Sequence, residues 1–377
     1  MPDFSIQDNT KNLFSHYFST MKDPRRTNKG NHLYPLDEVL FLTISAVISS
    51  VEGWEDICEF GNLKISWLRK FFAFKNGIPS HDVLSKLFAR LDTKTFNQCF
   101  IDWINSISEI TENEVIAIDG KTIRKSNDKN RSKSAYHMVS AYASDNRVCL
   151  GQDIVNEKSN EITAIPKLLD LIAVKGAIVT IDAMGCQTNI ADIIIEKKAN
   201  YILALKGNQK SLKEQVVNQF NQTKPSSVDE SVDSGHGRVE TRTCEVIDNL
   251  TTMDSLEKWK NLNSIVKITS KRYVKSTEKE STETRYYISS LKTDAKSMNQ
   301  YVRKHWSVEN NLHWNLDVVF KEDASLKKKD KAPVNFNIVR KMALAMIERD
   351  DYKKKSKNIR RLKAALDDKY RTKIITS

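Results

Sequence analysis

The run YPLDEVLFLTISAVISSV, residues 34–51, carries apolar side chains on every face of a helix. That pattern predicts a helix buried all round, with Pro35 near its start. In GIPSHDVLSKLFARLD, residues 77–92, a Gly77–Pro79 turn is followed by Ser80 as an N-cap candidate and by Val83, Leu84, Leu87 and Leu91 at helical spacing. Residues 1–110 therefore read as a helical N-terminal domain. A helix after a Gly-Pro turn also fits the reading helix of a helix-turn-helix, although any bundle contains such helices.

The periodicity changes at EVIAIDG, where the apolar residues 115–118 end at Asp119 and Gly120. This is the pattern of a buried strand with a carboxylate at its C-terminal end. YHMVSAYAS (136–144) and RVCLGQDIV (147–155) flank the turn signal Asp145-Asn146, so three consecutive antiparallel strands are expected. Helix and strand then alternate through EITAIPKLLDLIAV, AIVTIDA, QTNIADIIIEKKA, YILALKG and SLKEQVVNQF. Residues 223–300 break the rhythm with short β-like runs and read as a β-rich insertion. NQYVRKHWSVENNLHWNLDVVF (299–320) then predicts one long helix with Val308, Leu312, Leu316 and Val319 as its apolar stripe. The expected architecture is α/β, with a core at 111–222 that resumes at 301–348 and a basic tail at 349–377.

Charge narrows the partner. The chain of 377 residues carries a formal charge of +12, and residues 321–377 hold 18 Lys and Arg against 8 Asp and Glu, so +10 lies there. Such a tail suits a polyanion, because each neutralised phosphate releases counterions; a solvated surface is the plainer alternative. Cys58, Cys99, Cys149, Cys186 and Cys244 stand singly, with no C-x-x-C pair for zinc or redox chemistry. No secretory leader pattern or apolar stretch approaching a membrane span occurs, so an intracellular, soluble protein without a membrane partner is expected.

The acids carry the chemistry. In a sheet ordered 3-2-1-4-5 the first and fourth strands are neighbours, which sets Asp119 beside Asp182. Two carboxylates so close repel unless a divalent cation lies between them, and hard oxygen ligands suit Mg²⁺, with Mn²⁺ as a substitute. Glu309 on the long helix is the third candidate, since His305, Glu309, His313 and Asp317 recur every four residues on one face. A zinc site of His305, Glu309 and His313 is the rival, and would leave Asp119 and Asp182 without a role. Asp317 lies about 12 Å further along a helix axis and cannot share an ion with Glu309, while Glu322 and Asp323 suit helix capping or contact with lysines. For DNA, the loop GKTIRKSNDKNRSKS offers Lys121, Arg124 and Lys125, and LKGNQKSL offers Lys206, Asn208, Gln209 and Lys210 at a helix start. Trp306 and Trp314 either stack on an extruded base or fill core, and DASLKKKDKAP is a candidate backbone-binding run.

VIAIDGKTIRKS, HMVSAYAS, EKSNEITAIPKLLDL, IVTIDAMGCQ, YILALKGNQ, GHGRVETR, RYYISSL and HWSVENNLHWNLDVVFKED resemble, in order and spacing, the H-repeat-associated branch of bacterial insertion-sequence transposases. DPRR, EGWEDICEFG and GIPSHD resemble that family's helical leader. The resemblance implies an RNase H-like catalytic core with a DDE triad, interrupted by a β-rich insertion. By motif the triad is Asp119, Asp182 and Glu309, all metal ligands. It further implies cutting of element ends and transfer of the 3′-hydroxyl to target DNA, double-stranded DNA as partner, a homodimer on DNA, and a bacterial cytoplasm at the nucleoid. Arg303, His305, Trp306 and Asn310 flank the Glu as strand-gripping candidates. One departure stands out: the family places an Arg where His305 stands, and a Lys where Leu316 stands. A domesticated nuclease without strand transfer is the alternative, and an intact triad argues against a decayed DNA-binding protein.

Overall fold

The computed structural model describes residues 16–18, 21–25, 33–127, 134–155, 160–235, 237–250, 253 and 256–376. Arg26 of DPRR, residues 128–133 of the basic loop, residues 157–159 and His236 of GHGRVETR lie outside the described residues.

The apolar run after Pro35 forms α1 (Leu36–Ile48), buried from Glu38 to Ile48. The Glu38 carboxylate, buried with it, accepts from the Phe74 amide at 2.8 Å, which satisfies it. There follow α2 (Trp54–Leu63), α3 (His81–Arg90) and α4 (Thr93–Ile107). Ser80 holds the N-cap position of α3 but makes no side-chain cap hydrogen bond. The working cap is one helix later, where Asp92 accepts from the Thr95 amide at 2.9 Å.

The strands build one nine-stranded mixed sheet in the order β3-β2-β1-β4-β5-β9-β8-β7-β6. In chain order these are β1 (Val115–Thr122), β2 (His137–Ala143), β3 (Val148–Val155), β4 (Ile178–Ile181), β5 (Asn200–Leu205), β6 (Ser227–Gly235), β7 (Arg238–Ile247), β8 (Ser264–Val274) and β9 (Lys279–Ser289). Helices α5 (Glu161–Leu171), α6 (Thr188–Glu196) and α7 (Lys210–Gln222) supply the connections around β4 and β5. Strands β1, β4 and β5 are parallel, and their runs are buried, as strands covered on both faces must be. The four strands between 227 and 289 extend this same sheet, because β9 pairs antiparallel with β5 from Ile202↔Ser289 to Leu205↔Tyr286.

Two expectations change in detail. Strand β1 runs past Asp119 to Thr122, because antiparallel pairing with β2 continues to Thr122↔His137 after the parallel pairing with β4 stops at Ile118↔Ile181. The segment expected as one long helix is an α-helix, α8 (Ala295–His305), followed by π-helical turns at Val308–His313 and Asn315–Val319. One local cause is Asn315, whose side-chain amide takes the Asn311 carbonyl at 2.6 Å and competes for that acceptor with the backbone ladder. The apolar stripe survives: Val308, Leu312, Leu316 and Val319 are all buried.

The basic C-terminus is not a loose tail. After α9 (Ala332–Arg349), buried from Ala332 to Glu348, it folds into α10 (Lys357–Leu366) and α11 (Asp368–Thr376). Arg361 is buried and donates to the Val47 carbonyl and, at 2.9 Å, to Glu52. Arg371 lies 4.1 Å from the Trp67 ring, and Trp67 Nε1 donates to Thr372 Oγ1 at 2.9 Å. In the DASLKKKDKAP run, Lys327 is likewise held over the Trp54 and Phe336 rings. Part of the charge read as polyanion-binding is thus internal structure. One apolar core runs from α1 through the sheet to α9 and α11. Among the described residues no helix is long and apolar enough to cross a membrane.

Candidate active site

Parallel register sets the first two acids side by side. Ile118 of β1 opposes Ile181 of β4, so the next residues, Asp119 and Asp182, follow the end of the β1–β4 ladder side by side, with Asp119 still paired to Ser140 of β2. Asp182 then turns the chain, accepting from the Met184 amide at 3.1 Å and the Gly185 amide at 3.4 Å. Glu309 arrives from the first π-helical turn, whose Val308 and Leu312 are buried. Asp119, Asp182 and Glu309 line one cavity of about 210 Å³, with Thr180, Lys206 and Arg285 around it. Wide helical turns are frequent at functional sites, because they re-aim side chains that a regular helix would stack.

The acids sense one another. Burial, then the charges of Glu309, Asp182 and Glu161, push the Asp119 carboxyl up to about 7, against a hydrogen bond from the Gly120 backbone. Burial and Glu161 raise Asp182 as well, while its two amide donors and Lys206 oppose the shift. Glu161, at the start of α5, is a fourth carboxylate that sequence spacing did not single out. His137 Nε2 meets its Oε1 at 2.6 Å. A Cβ on Gly120 would fall 2.0 Å from that same oxygen, so the glycine makes room for the pair. The only signal in the sequence was the position of Glu161 in the first turn of a helix that follows β3.

The two histidines diverge. His305 Nδ1 meets Thr180 Oγ1 at 2.9 Å, and burial pushes its imidazole down to about 4, so it lines the cavity uncharged. His313 Nδ1 lies 3.4 Å from Asp119 Oδ2; burial, then Lys341 and Lys121, lower it to about 3, so this is a contact of a neutral ring. His305 and His313 are thus drawn to different partners, Thr180 and Asp119. Among the described residues no three of His, Cys, Asp and Glu form a preassembled metal cage.

The DNA-binding candidates separate into groups. Lys121 is already engaged, at 2.6 Å from both Asp317 and Glu322, so it serves the interior rather than an open surface. Asn208 donates to the Ala183 carbonyl at 2.6 Å and Gln209 to the Cys186 carbonyl at 2.9 Å, which ties their turn to the Asp182 loop. Arg124, Lys125, Lys206 and Lys210 are exposed. Arg303 pairs with Asp233 of the inserted strands, Trp306 lies under the Arg285 guanidinium at 4.9 Å, and exposed Asn310 faces the same groove. Trp314 is exposed rather than core.

Glu322 is fully buried among Lys121, Asn337 and Arg340. Burial works against its charge, but Lys121 and Arg340 hold it down to about 2, below its ordinary 4.5. A carboxylate depressed in the fold stabilises above its unfolded value and loses that contribution as pH falls through the folded one. Wild-type protein should lose urea resistance between about pH 4.5 and 2. Glu322→Gln should flatten that loss and destabilise at neutral pH by about 1–3 kcal/mol, since Lys121 and Arg340 each lose a buried carboxylate while keeping Asp317 and Glu52. Equal urea midpoints at pH 7 would contradict this network.

Residues 110–346 match the family described as the transposase DDE domain, and residues 15–104 match its associated N-terminal family, described as DDE_Tnp_1-associated. The chain belongs to the DDE transposase family. Among the relatives of this DDE transposase, the "Putative transposase YncI" of Escherichia coli O157:H7 is 41% identical over 369 residues, covering 96% of this chain and 94% of that one. The "H repeat-associated putative transposase YhhI" of Escherichia coli K12 is 38% identical over 375 residues, covering 97% and 98%. The matched DDE region runs from before β1 to α9, so the three acids and the inserted strands all fall within it.

Proposed function

We propose that this DDE transposase cuts insertion-sequence ends and transfers the freed 3′-hydroxyl to target DNA on an RNase H-like core. The observation that carries the reading is the convergence of Asp119, Asp182 and Glu309 on one cavity. Their donor set fits Mg²⁺ or Mn²⁺: all three offer hard oxygens, and the partial burial of Asp119 and Asp182 raises the cost of keeping them charged side by side without a cation. Divalent ions bound there would supply activation of the attacking oxygen and stabilisation of the leaving one. Asp119 and Asp182 would hold them from the strand ends, and Glu309 from the helix side. The backbone of 207–210 and Lys206 would take a phosphate beside the cavity, and neutral His305 would shape its wall without holding charge. Double-stranded DNA is the partner, with the protein assembled as a homodimer on it in the bacterial cytoplasm.

The test is a plasmid carrying the element between its own ends, incubated with protein, Mg²⁺ and a second, target plasmid. Joined products with 3′-ends covalently linked to target are expected. Cut ends without joining would favour a domesticated nuclease instead.

A further inference from the structure

The inserted strands carry an arginine that the triad does not use. A groove of about 840 Å³ runs from Glu309 along β7 and β8, lined by Arg242, Arg272, Arg285, Arg303 and Trp306 among others. Three of these arginines hold carboxylates: Arg272 binds Glu240 at 3.0 Å, Arg285 binds Glu283 at 2.8 Å, and Arg303 binds Asp233. Arg242 differs. It is only 8% exposed, and its Nε is buried with no hydrogen-bond partner among the described residues. Its neighbours across the ladder are Ser231 on β6 and Ser270 on β8, neither of them an acid. Burial makes it harder to keep charged and Arg303 adds to that, while Tyr287 and Glu240 act the other way; Glu240 already holds Arg272, and neither bonds the Arg242 Nε.

A buried charge without a partner is costly, and native proteins keep one chiefly where something else supplies the counter-charge. The opening lies beside Glu309, so the missing anion is one that the active site brings. A guanidinium presents a planar fork that matches two phosphate oxygens at once. We propose that Arg242 seats a backbone phosphate of the DNA strand that leads away from Glu309 along the inserted strands. This rests on the reading that the chain acts on DNA. Trp306, already stacked on Arg285, forms the wall of the groove nearest the acids and presents a face to the base next to that phosphate.

Full-length wild-type, R242Q and R242K proteins are titrated against a fluorescent oligothymidylate of about 20 nucleotides, long enough to span a groove of this kind. Anisotropy is read without divalent metal over a salt series. R242Q should bind about tenfold more weakly, with a salt slope shallower by about 0.7, the value of one single-strand phosphate contact. R242K keeps the charge and loses the fork, so its slope should match wild type while its affinity falls in between. The melting temperature of DNA-free R242Q should be no lower than that of wild type, since the orphan charge is removed. Wild-type affinity and slope in R242Q overturn the phosphate seat alone. A lowered melting temperature with unchanged binding makes Arg242 a structural residue and also overturns it. If wild type itself binds no oligothymidylate, the seat fails; the DNA reading fails with it only if a double-stranded oligonucleotide of the same length also stays unbound.

Discussion

Asp119→Asn and Glu309→Gln should each eliminate DNA cleavage while leaving the melting temperature, measured without divalent metal, at or above that of wild type. Both parts follow from one arrangement. Asp119 is partly buried within reach of the charges of Glu309, Asp182 and Glu161. Neutralising one member of such a group relieves repulsion in the metal-free protein and removes a hard ligand from the metal-bound one. Metal stabilisation of the transition state is worth several kcal/mol, and about 4 kcal/mol corresponds to roughly a thousandfold in rate. Asp182→Asn should be equally inactive, although its amide acceptance from Met184 and Gly185 makes some loss of stability expected there. Cleavage of an element end in saturating Mg²⁺ and melting with and without Mg²⁺ are measured together. Wild type should gain melting temperature on adding Mg²⁺, and the variants should gain less. Normal cutting by Asp119→Asn or Glu309→Gln would remove that residue from the triad.

Removing residues 351–377 should unfold the protein rather than only weaken its grip on DNA. Helices α10 and α11 carry Arg360, Arg361 and Arg371, all buried. Arg361 bridges the Val47 carbonyl at the end of α1 to Glu52, and Arg371 lies under Trp67. Breaking one buried pair by removing a partner costs about 3–5 kcal/mol, against a total stability of about 5–15 kcal/mol for a typical domain. The truncation removes several such groups and exposes the α1 surface. Circular dichroism and urea titration should show lost helix and a lowered midpoint, and Arg361→Ala should show a smaller loss in the same direction. A truncated chain that melts within a few degrees of wild type, with weaker DNA binding at every salt concentration, would restore the polyanion-binding tail.

Much of the sheet was legible in the sequence because its signals are local. A run such as VIAI has to be buried on both faces, and YHMVSAYAS and RVCLGQDIV around Asp145-Asn146 have few ways to pair except as a hairpin. The helix stripe Val308–Leu312–Leu316–Val319 was equally plain, since buried positions repeat whether the turn is α or π. The convergence of Asp119 and Asp182 followed from strand order and a shared register, both implied by alternating helix and strand.

Long-range pairing decided the remainder. Lys121 read as an exposed basic residue, yet Asp317 and Glu322, about 200 positions later, capture it. His305 read as a phosphate grip, and burial against Thr180 leaves it neutral. The C-terminal charges read as a tail because their partners, Val47, Glu52 and Trp67, lie in the first fifth of the chain. Glu161 met His137, and the Arg242 Nε was left without a hydrogen bond, only when distant strands and helices had closed around them. Apolar periodicity and turn chemistry act between near neighbours, so the sequence alone determined most of the elements and the order of the first five strands. Whether a charged side chain is spent on the interior or left open for a ligand depends on which distant group desolvates or neutralises it, and only the tertiary structure decided that.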